Sequence, residues 1–499
     1  MSATGDFTEL LNRPAGMPPG GGFDDTIVPH AIDVETGLAA LPPRLLAALR
    51  FAAAELIAHP GLATGNPRRT LEAVNAMIDL RMSGQLNHVL HHPEFQALEA
   101  SWRGLHFLVR TVQTDPMLKI RLFDISQREL SRTLRKFRGT AWDHSPVFKK
   151  IYEEEYGQLG GEPFGVLIGD YYFDHQPQNI QLLADMSAIA AAAHAPFIAG
   201  AAPALMQMDE WAELANPRDL TRIFQTPEYA AWRALRETED SRYLGLCMPR
   251  MLSRLPYGVR TDPIDDFAFE EEVEGAHANH YAWANPAFAM GANIARSFSV
   301  YGWCTRINGV ETGGIVEDLP ILHFSTADGD TDTRSCTEIA LNERREAELS
   351  RLGLIPLVYR KNTEVASFIS AHSLQKPNEY DDPAATANAV MSARLPYMFA
   401  CCRFSHYLKC MVRDKVGGTK SRVQLQDWLT DWLLGYVDGS PTTSSEEWKA
   451  SHPLEAAEVT LEEKPDKPGQ YEARFFLKPH YQLEGLTVAL RLVSRLPAQ

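Results

Sequence analysis

The stretch from Phe164 to Ala201 constrains the fold of this chain more than any other. "FGVLIGDYYF" (164–173) is a mostly apolar strand, "QNIQLLADMSAIAAAAH" (178–194) has the apolar spacing of a helix, and "PFIAGA" (196–201) returns to strand. Two strands joined through a helix pair in parallel, and parallel sheets carry helices on their faces. Both faces are then dry, which is why these strands read as nearly continuous apolar runs. "YLGLCMP" (243–249) and "LIPLVYR" (354–360) are further strand candidates, and "ANPAFAMGANIARSFSVYGW" (284–303) reads as a helix. The expected class is α/β, mixed with α+β elements.

The flanks have different periods. Residues 38–112 read as helical, and Leu98, Trp102, Leu105 and Val109 form one apolar stripe, expected to pack into the core. "LKIRLFDI" (118–125) alternates as a strand. Residues 384–437 return to helix and 457–493 to strands. The last stretch, "YEARFFLKPHYQLEGLTVALRLVSRLP" (471–497), reads as two alternating strands joined by a short turn. One strand puts Tyr471, Ala473, Phe475 and Leu477 on one face; the other does so with Leu486, Val488, Leu490 and Leu492. A terminal hairpin exposes unpaired backbone unless something covers it. "AAEVTLEE" (456–463) could cover one edge from within the chain. At the other end, "RPAGMPPGGGFDD" (13–25) is a Pro/Gly linker. Ahead of it, Phe7, Leu10 and Leu11 fall on one face of a short helix, which either packs loosely or docks as a peptide.

The length of 499 residues favours two or three domains. Acidic residues outnumber basic ones, 64 to 48, for a formal charge of −16. That disfavours a nucleic-acid partner, which needs a concentrated basic face. Six cysteines without a C-x-x-C pair suggest buried thiols in a reducing compartment. No secretory signal and no membrane-spanning run is expected, which points to a cytoplasmic protein.

A search for chemistry yields no enzyme signature. "VGGTKS" (416–421) holds the letters of a phosphate loop in the wrong order. "DGDTD" (328–332) spaces Asp328, Asp330 and Asp332 like a calcium loop, but Thr333 and Ile339 stand where Gly and Glu are required. His277 and His280 in "HANH", and His91 and His92 in "HHPEF", lack the further ligands zinc needs, so surface or capping roles are expected. Cys401, Cys402 and Cys410 lie near His406 in an apolar helix, which favours inert thiols over a nucleophile. No metal or cofactor is expected.

Several stretches, taken in order, resemble one family. They are "HHPEFQALEASWRGLHFLV" (91–109), "EYGQLGGEPFGVLIGDYYF" (155–173), "HAPFIAGAAP" (194–203), "EDSRYLGLCMPRML" (239–252) and "GGIVEDLPILHF" (313–324). "ERREAELSRLGLIPLVYRK" (343–361), "QKPNEY" (375–380), "LPYMFACCRFSHYLK" (395–409) and "RFFLKPHYQLEGLTVALRLVSRL" (474–496) continue the series. Together they resemble the large subunit of the type VI secretion contractile sheath, from about residue 71 to 497.

The resemblance implies a structural role and a sheath-type multi-domain fold. The implied partners are a small sheath subunit (TssB/VipA type), an inner-tube ring protein (Hcp type), a baseplate, and an AAA+ disassembly ATPase (ClpV type). Heterodimers of the two sheath subunits would stack helically around the inner tube and contract. The implied divisions are a tail over 1–35, a helical region over 36–112 pairing with the small subunit, an α/β core over 113–380, and C-terminal helices with the hairpin over 381–499. The hairpin residues Tyr471, Ala473, Phe475, Leu477, Leu486, Val488, Leu490 and Leu492 would join sheets between subunits. Phe7, Leu10 and Leu11 would be read by the ATPase, and Asp427 and Asp431 would face the inner tube or form a solvated helix edge. A phage-type tail sheath and a metal-dependent α/β enzyme are the alternatives.

Overall fold

A computed structural model describes residues 42–216, 219–265, 267–273, 280–325, 331–415, 422–440, 443–463, 471–479 and 490–494. The chain divides into two units, 1–82 and 83–499, and the boundary falls inside the helix Pro67–Leu90. In the first unit, the helix Pro43–Ala58 begins on a proline, whose missing N–H costs nothing at a helix start. Arg81 reaches back from the second helix to Glu55 at 2.8 Å.

The second unit is built on a six-stranded sheet of order β1-β2-β3-β9-β10-β6. Its strands are β1 (Leu167–Phe173), β2 (Phe197–Ala201), β3 (Leu244–Met248), β6 (Ile315–Val316), β9 (Leu354–Tyr359) and β10 (Ala366–Phe368). β1, β2, β3 and β9 run parallel, while β10 is antiparallel to both its neighbours. The strand–helix–strand pattern is therefore present, with the helix Pro177–Ala193 between β1 and β2.

Alternation along the strands divides the core in two. Leu244, Leu246 and Met248 of β3 join Leu182, Leu183, Met186 and Ile189 of that helix on one face. Cys247 of β3, Ile198 of β2 and Ile355 of β9 point the other way, onto Phe288, Met290 and Ile294 of the helix Ala287–Tyr301. Every residue of β2 and β3 is buried. Two short antiparallel pairs complete the unit's periphery, β4 (Met251–Leu252) with β5 (Trp283–Ala284) and β7 (Leu322–Ser325) with β8 (Thr331–Arg334).

The C-terminal part has its own core. A three-stranded antiparallel sheet, β11 (Leu454–Glu463), β12 (Tyr471–Pro479) and β13 (Leu490–Ser494), packs Val459, Leu461, Phe475 and Leu477 against Phe404, Leu408, Leu429 and Leu433. The last four belong to the helices Leu395–Lys415 and Arg422–Leu434. Trp303 stacks on Phe404 at 4.1 Å and joins this core to the end of the Ala287–Tyr301 helix.

One expected strand is absent. Residues 118–125 alternate in burial at first, with Leu118 and Ile120 half-buried on the core, but they pair with no strand among the described residues. Inward apolar side chains produce the period of two. Ion pairs from Lys119 to Glu162 and from Arg121 to Glu155 and Glu162 hold the segment instead of a ladder.

Candidate assembly surfaces

The helix Pro93–Thr111 has two apolar faces. Its start is fixed by Pro93 and by His92, whose Nδ1 accepts the Glu94 N–H at 3.3 Å. The inner face is buried at Gly104 and Leu108 and crosses the Ala287–Tyr301 helix. The crossing is close: a Cβ on Gly104 would sit 2.6 Å from Phe288 Cε2, while against the sheet one on Gly291 would run into Ile168 of β1. The outer face carries Leu98, Trp102 and Val109, which are 56%, 61% and 50% exposed. The expectation that this stripe packs into the core is thus wrong for three of its four members. Only Leu105 packs, half-buried, on the core. The core contact falls on the neighbouring Gly104–Leu108 face, where small size lets the backbones approach.

A polar cluster lies beside this helix. Arg254 is 5% exposed and holds two carboxylates at once: Glu99 on the helix, through Nε at 2.6 Å, and Glu271, through Nη1 at 2.6 Å. Burial pushes the Glu99 carboxyl up, but Arg254 and Arg103 outweigh it and hold it below the usual range. His91 stacks on His280 with ring centres 4.4 Å apart, and its Nε2 is 3.6 Å from Glu271. The two histidine motifs of the sequence therefore meet, but as parallel rings rather than converging ligands. His277 lies outside the described residues. Nothing local in the sequence signals this cluster, since Glu99 and Arg254 are 155 residues apart.

The C-terminal sheet locates the strand-pairing candidates. Tyr471, Ala473, Phe475 and Leu477 all belong to β12, the central strand. From Ala473 to Leu477 its two edges are occupied by β11 and β13, with Phe475 opposite both Val459 and Leu492. Leu490 pairs with Leu477; Leu486 and Val488 lie outside the described residues. The segment expected to cover one edge does so, as β11. The outer edges of the sheet belong to β11 and β13. At the start of β11 Leu454 bonds to Tyr436 and Asp438, and toward its end the Leu461 carbonyl accepts from Arg422 at 3.5 Å.

Asp427 and Asp431 are exposed one turn apart on the helix Arg422–Leu434, with Val423 and Leu434 also exposed. Leu429 and Leu433 face the core, and Trp428 and Trp432 are half-buried against it. Phe7, Leu10 and Leu11 lie outside the described residues, as do 416–421, Asp328 and Asp330.

Cys401 and Cys402 are buried, and Cys410 is half-buried. Burial pushes Cys401 up to about 12 and Cys402 well above its usual range. His406 is buried and donates to the Ala193 carbonyl at 2.8 Å. Among the described residues no cluster of metal-ligating side chains occurs, and no helix is long and apolar enough to cross a membrane.

Residues 72–375 match the family model "EvpB/VC_A0108, tail sheath N-terminal domain", and residues 384–496 match "EvpB/VC_A0108, tail sheath gpW/gp25-like domain". The type VI secretion system sheath protein TssC1 of Pseudomonas aeruginosa is 58% identical over 451 residues, covering 90% of this chain and 91% of its own length. The solved baseplate of the anti-feeding prophage aligns over 77% of this chain and 80% of its own, at 9% identity and a TM-score of 0.32. The chain belongs to the VipB/EvpB tail-sheath family and is a structural sheath protein of type VI secretion, not an enzyme.

Proposed function

We propose that this chain is the large sheath subunit that pairs with a small sheath subunit, polymerises helically around an inner tube, and contracts to drive that tube and its cargo out of a bacterial cytoplasm. One observation carries the reading: a helix locked to the body on one face presents Leu98, Trp102 and Val109 to solvent on the other. Exposed apolar stripes of this kind mark protein–protein contact. In this reading residues 36–112 pair with the small subunit, 113–380 form the core and outer part of the sheath, and 381–499 form its inner part. The tail over 1–35 presents Phe7, Leu10 and Leu11 to an AAA+ disassembly ATPase. Asp427 and Asp431 face the inner-tube ring protein, and the assembled tube stands on a baseplate.

Strand exchange is proposed at the outer edges of β11 and β13, because β12 is already paired on both sides. A donated strand would extend the sheet by backbone hydrogen bonds and link neighbours while rigid bodies rotate. The test is co-expression with the small subunit of the same system, followed by electron microscopy. Tubes are expected only when both chains are present; tubes from this chain alone would favour the phage-type alternative. Trp102→Ala removes roughly 150 Å² of apolar contact and is expected to weaken pairing by about 2–4 kcal/mol. Unchanged pairing would remove the helix from the interface.

A further inference from the structure

The exposed stripe is useful to a partner only if its direction is fixed, and the close glycine crossing does not fix it. Contact through Gly104 sets how deep the helix Pro93–Thr111 lies, but a smooth apolar contact allows the helix to roll about its own axis. The resisting element is polar. Arg254 uses all five of its N–H groups: Nε and Nη2 on Glu99, Nη1 and Nη2 on Glu271, and Nη1 again on the Leu255 carbonyl. Its guanidinium lies 4.4 Å over the Tyr257 ring. Tyr257 in turn gives its N–H to Glu271 at 2.9 Å and receives Arg103 on its hydroxyl at 3.1 Å. Arg254, Tyr257 and Glu271 all belong to the body, and the helix residues they hold are Glu99, through Arg254, and Arg103, through the Tyr257 hydroxyl. Glu99 follows Leu98 directly and precedes Trp102 by three positions, so any roll that moves Glu99 also swings both.

We infer that Arg254 is a positioning residue: by gripping Glu99 it fixes the roll of the helix and so aims Leu98, Trp102 and Val109 at the small subunit. A second clip acts on the last turn of the preceding helix, Pro67–Leu90. Asn87 donates to the Glu270 carbonyl at 3.4 Å and accepts the Glu272 N–H at 3.1 Å, matching a strand-like backbone with its side-chain amide. The two clips meet on one segment, since Asn87 bonds the backbone on either side of Glu271 and Glu271 pairs with the Arg254 that holds Glu99. A planar, bidentate guanidinium is suited to this task, since it penalises rotation as well as separation.

The inference rests on the docking reading of the helix, and the experiment separates the two. The variant is Glu99→Gln in the full-length chain, which takes the charge out of the Arg254 grip and of the Glu99–Arg103 pair while leaving the Arg254–Glu271 pair and the Arg103–Tyr257 bond in place. Binding to purified small sheath subunit is measured for Glu99→Gln, Trp102→Ala and the double variant, with thermal melting of each alone. Glu99→Gln is expected to weaken binding about tenfold, as loss of one charged hydrogen-bond pair implies. In the Trp102→Ala background the same change should cost at most about twofold, because the aimed side chain is gone. Amide exchange over residues 93–111 should rise in Glu99→Gln while β2 and β3 stay protected. If Trp102→Ala weakens binding and Glu99→Gln does not, the positioning role falls and the docking face stands. If neither does, the docking reading falls and takes the inference with it. Full additivity of the two losses also overturns positioning, since it makes the clasp a structural contact independent of the face it was to aim.

Discussion

At the Gly104 crossing two familiar effects oppose each other, and a single methyl group decides between them. In an open helix, Gly104→Ala would stabilise by about 1 kcal/mol through backbone entropy. Here the new Cβ would lie 2.6 Å from Phe288 Cε2 and 3.2 Å from Phe288 Cγ. Comfortable carbon–carbon contact begins near ~3.5 Å, so helix or ring must give by about 1 Å. Phe288 is buried among Leu108, Ala287 and Ala292, which leaves its ring little room. Overpacking of this kind costs about 1–3 kcal/mol, so the clash wins and the variant loses roughly 1 kcal/mol net. Phe288→Ala alone should cost about 3–5 kcal/mol through the cavity it leaves. With the ring gone the clash is gone, and Gly104→Ala should then stabilise by up to about 1 kcal/mol. The assay is urea denaturation of the four proteins, read by circular dichroism, with attention to midpoints at constant slope. The expected result is a change of sign between backgrounds. Destabilisation by Gly104→Ala in both would refute the reasoning and place the helix's inner contact elsewhere.

One further outcome follows from the structure and two from the proposed function. His406 is buried and His194 and His372 are half-buried, and desolvation lowers their pKa values to about 3, 4 and 4. The unfolded chain binds protons near pH 6.5 that the folded chain refuses, so the contribution of these groups to stability is present above pH 6.5 and is lost as the pH falls toward 4; melting temperature against pH, with His372→Phe flattening the slope, checks it. Charge reversal at Asp427 and Asp431 should lower co-sedimentation with the inner-tube ring protein severalfold if that helix faces the tube, whereas unchanged pelleting would make the pair a solvated edge. Deletion of residues 1–20 should leave assembly intact and abolish ATPase-driven disassembly of contracted tubes, followed by light scattering; undisturbed disassembly would dismiss the tail as the recognised element.

What the sequence reveals and what it hides can be separated by cause. β1, β2, β3 and β9 are legible because a strand buried on both faces leaves an apolar run that few other structures produce. The stripe on Pro93–Thr111 misleads because periodicity reports that side chains are apolar, not what covers them. In an assembling protein a second apolar face can belong to another chain, and Leu98 and Trp102 look in sequence like any core pair. Residues 118–125 mislead for a related reason. One inward face produces a period of two whether or not a neighbour strand completes the ladder. The Arg254 clasp is invisible for a different reason: its members come from distant segments, and each charge taken alone resembles a solvated one. The hairpin is partly legible, since alternation finds β12 and β13, but alternation says nothing of strand order. Only the fold shows that β12 is central and that any donated strand must meet β11 or β13.

The sealed sheet has a mechanical consequence. β2 and β3 are buried at every residue, with helices packed on both sides. Interiors packed to that density compress little and pass strain on rather than absorbing it. The packed contacts run without a break from the Pro93–Thr111 helix across Gly104 and Phe288, along the Ala287–Tyr301 helix, to Trp303 stacked on Phe404 beside the C-terminal sheet. A body packed in this way would turn as one piece, and any give in an assembly built from it would have to lie at its contacts with other chains.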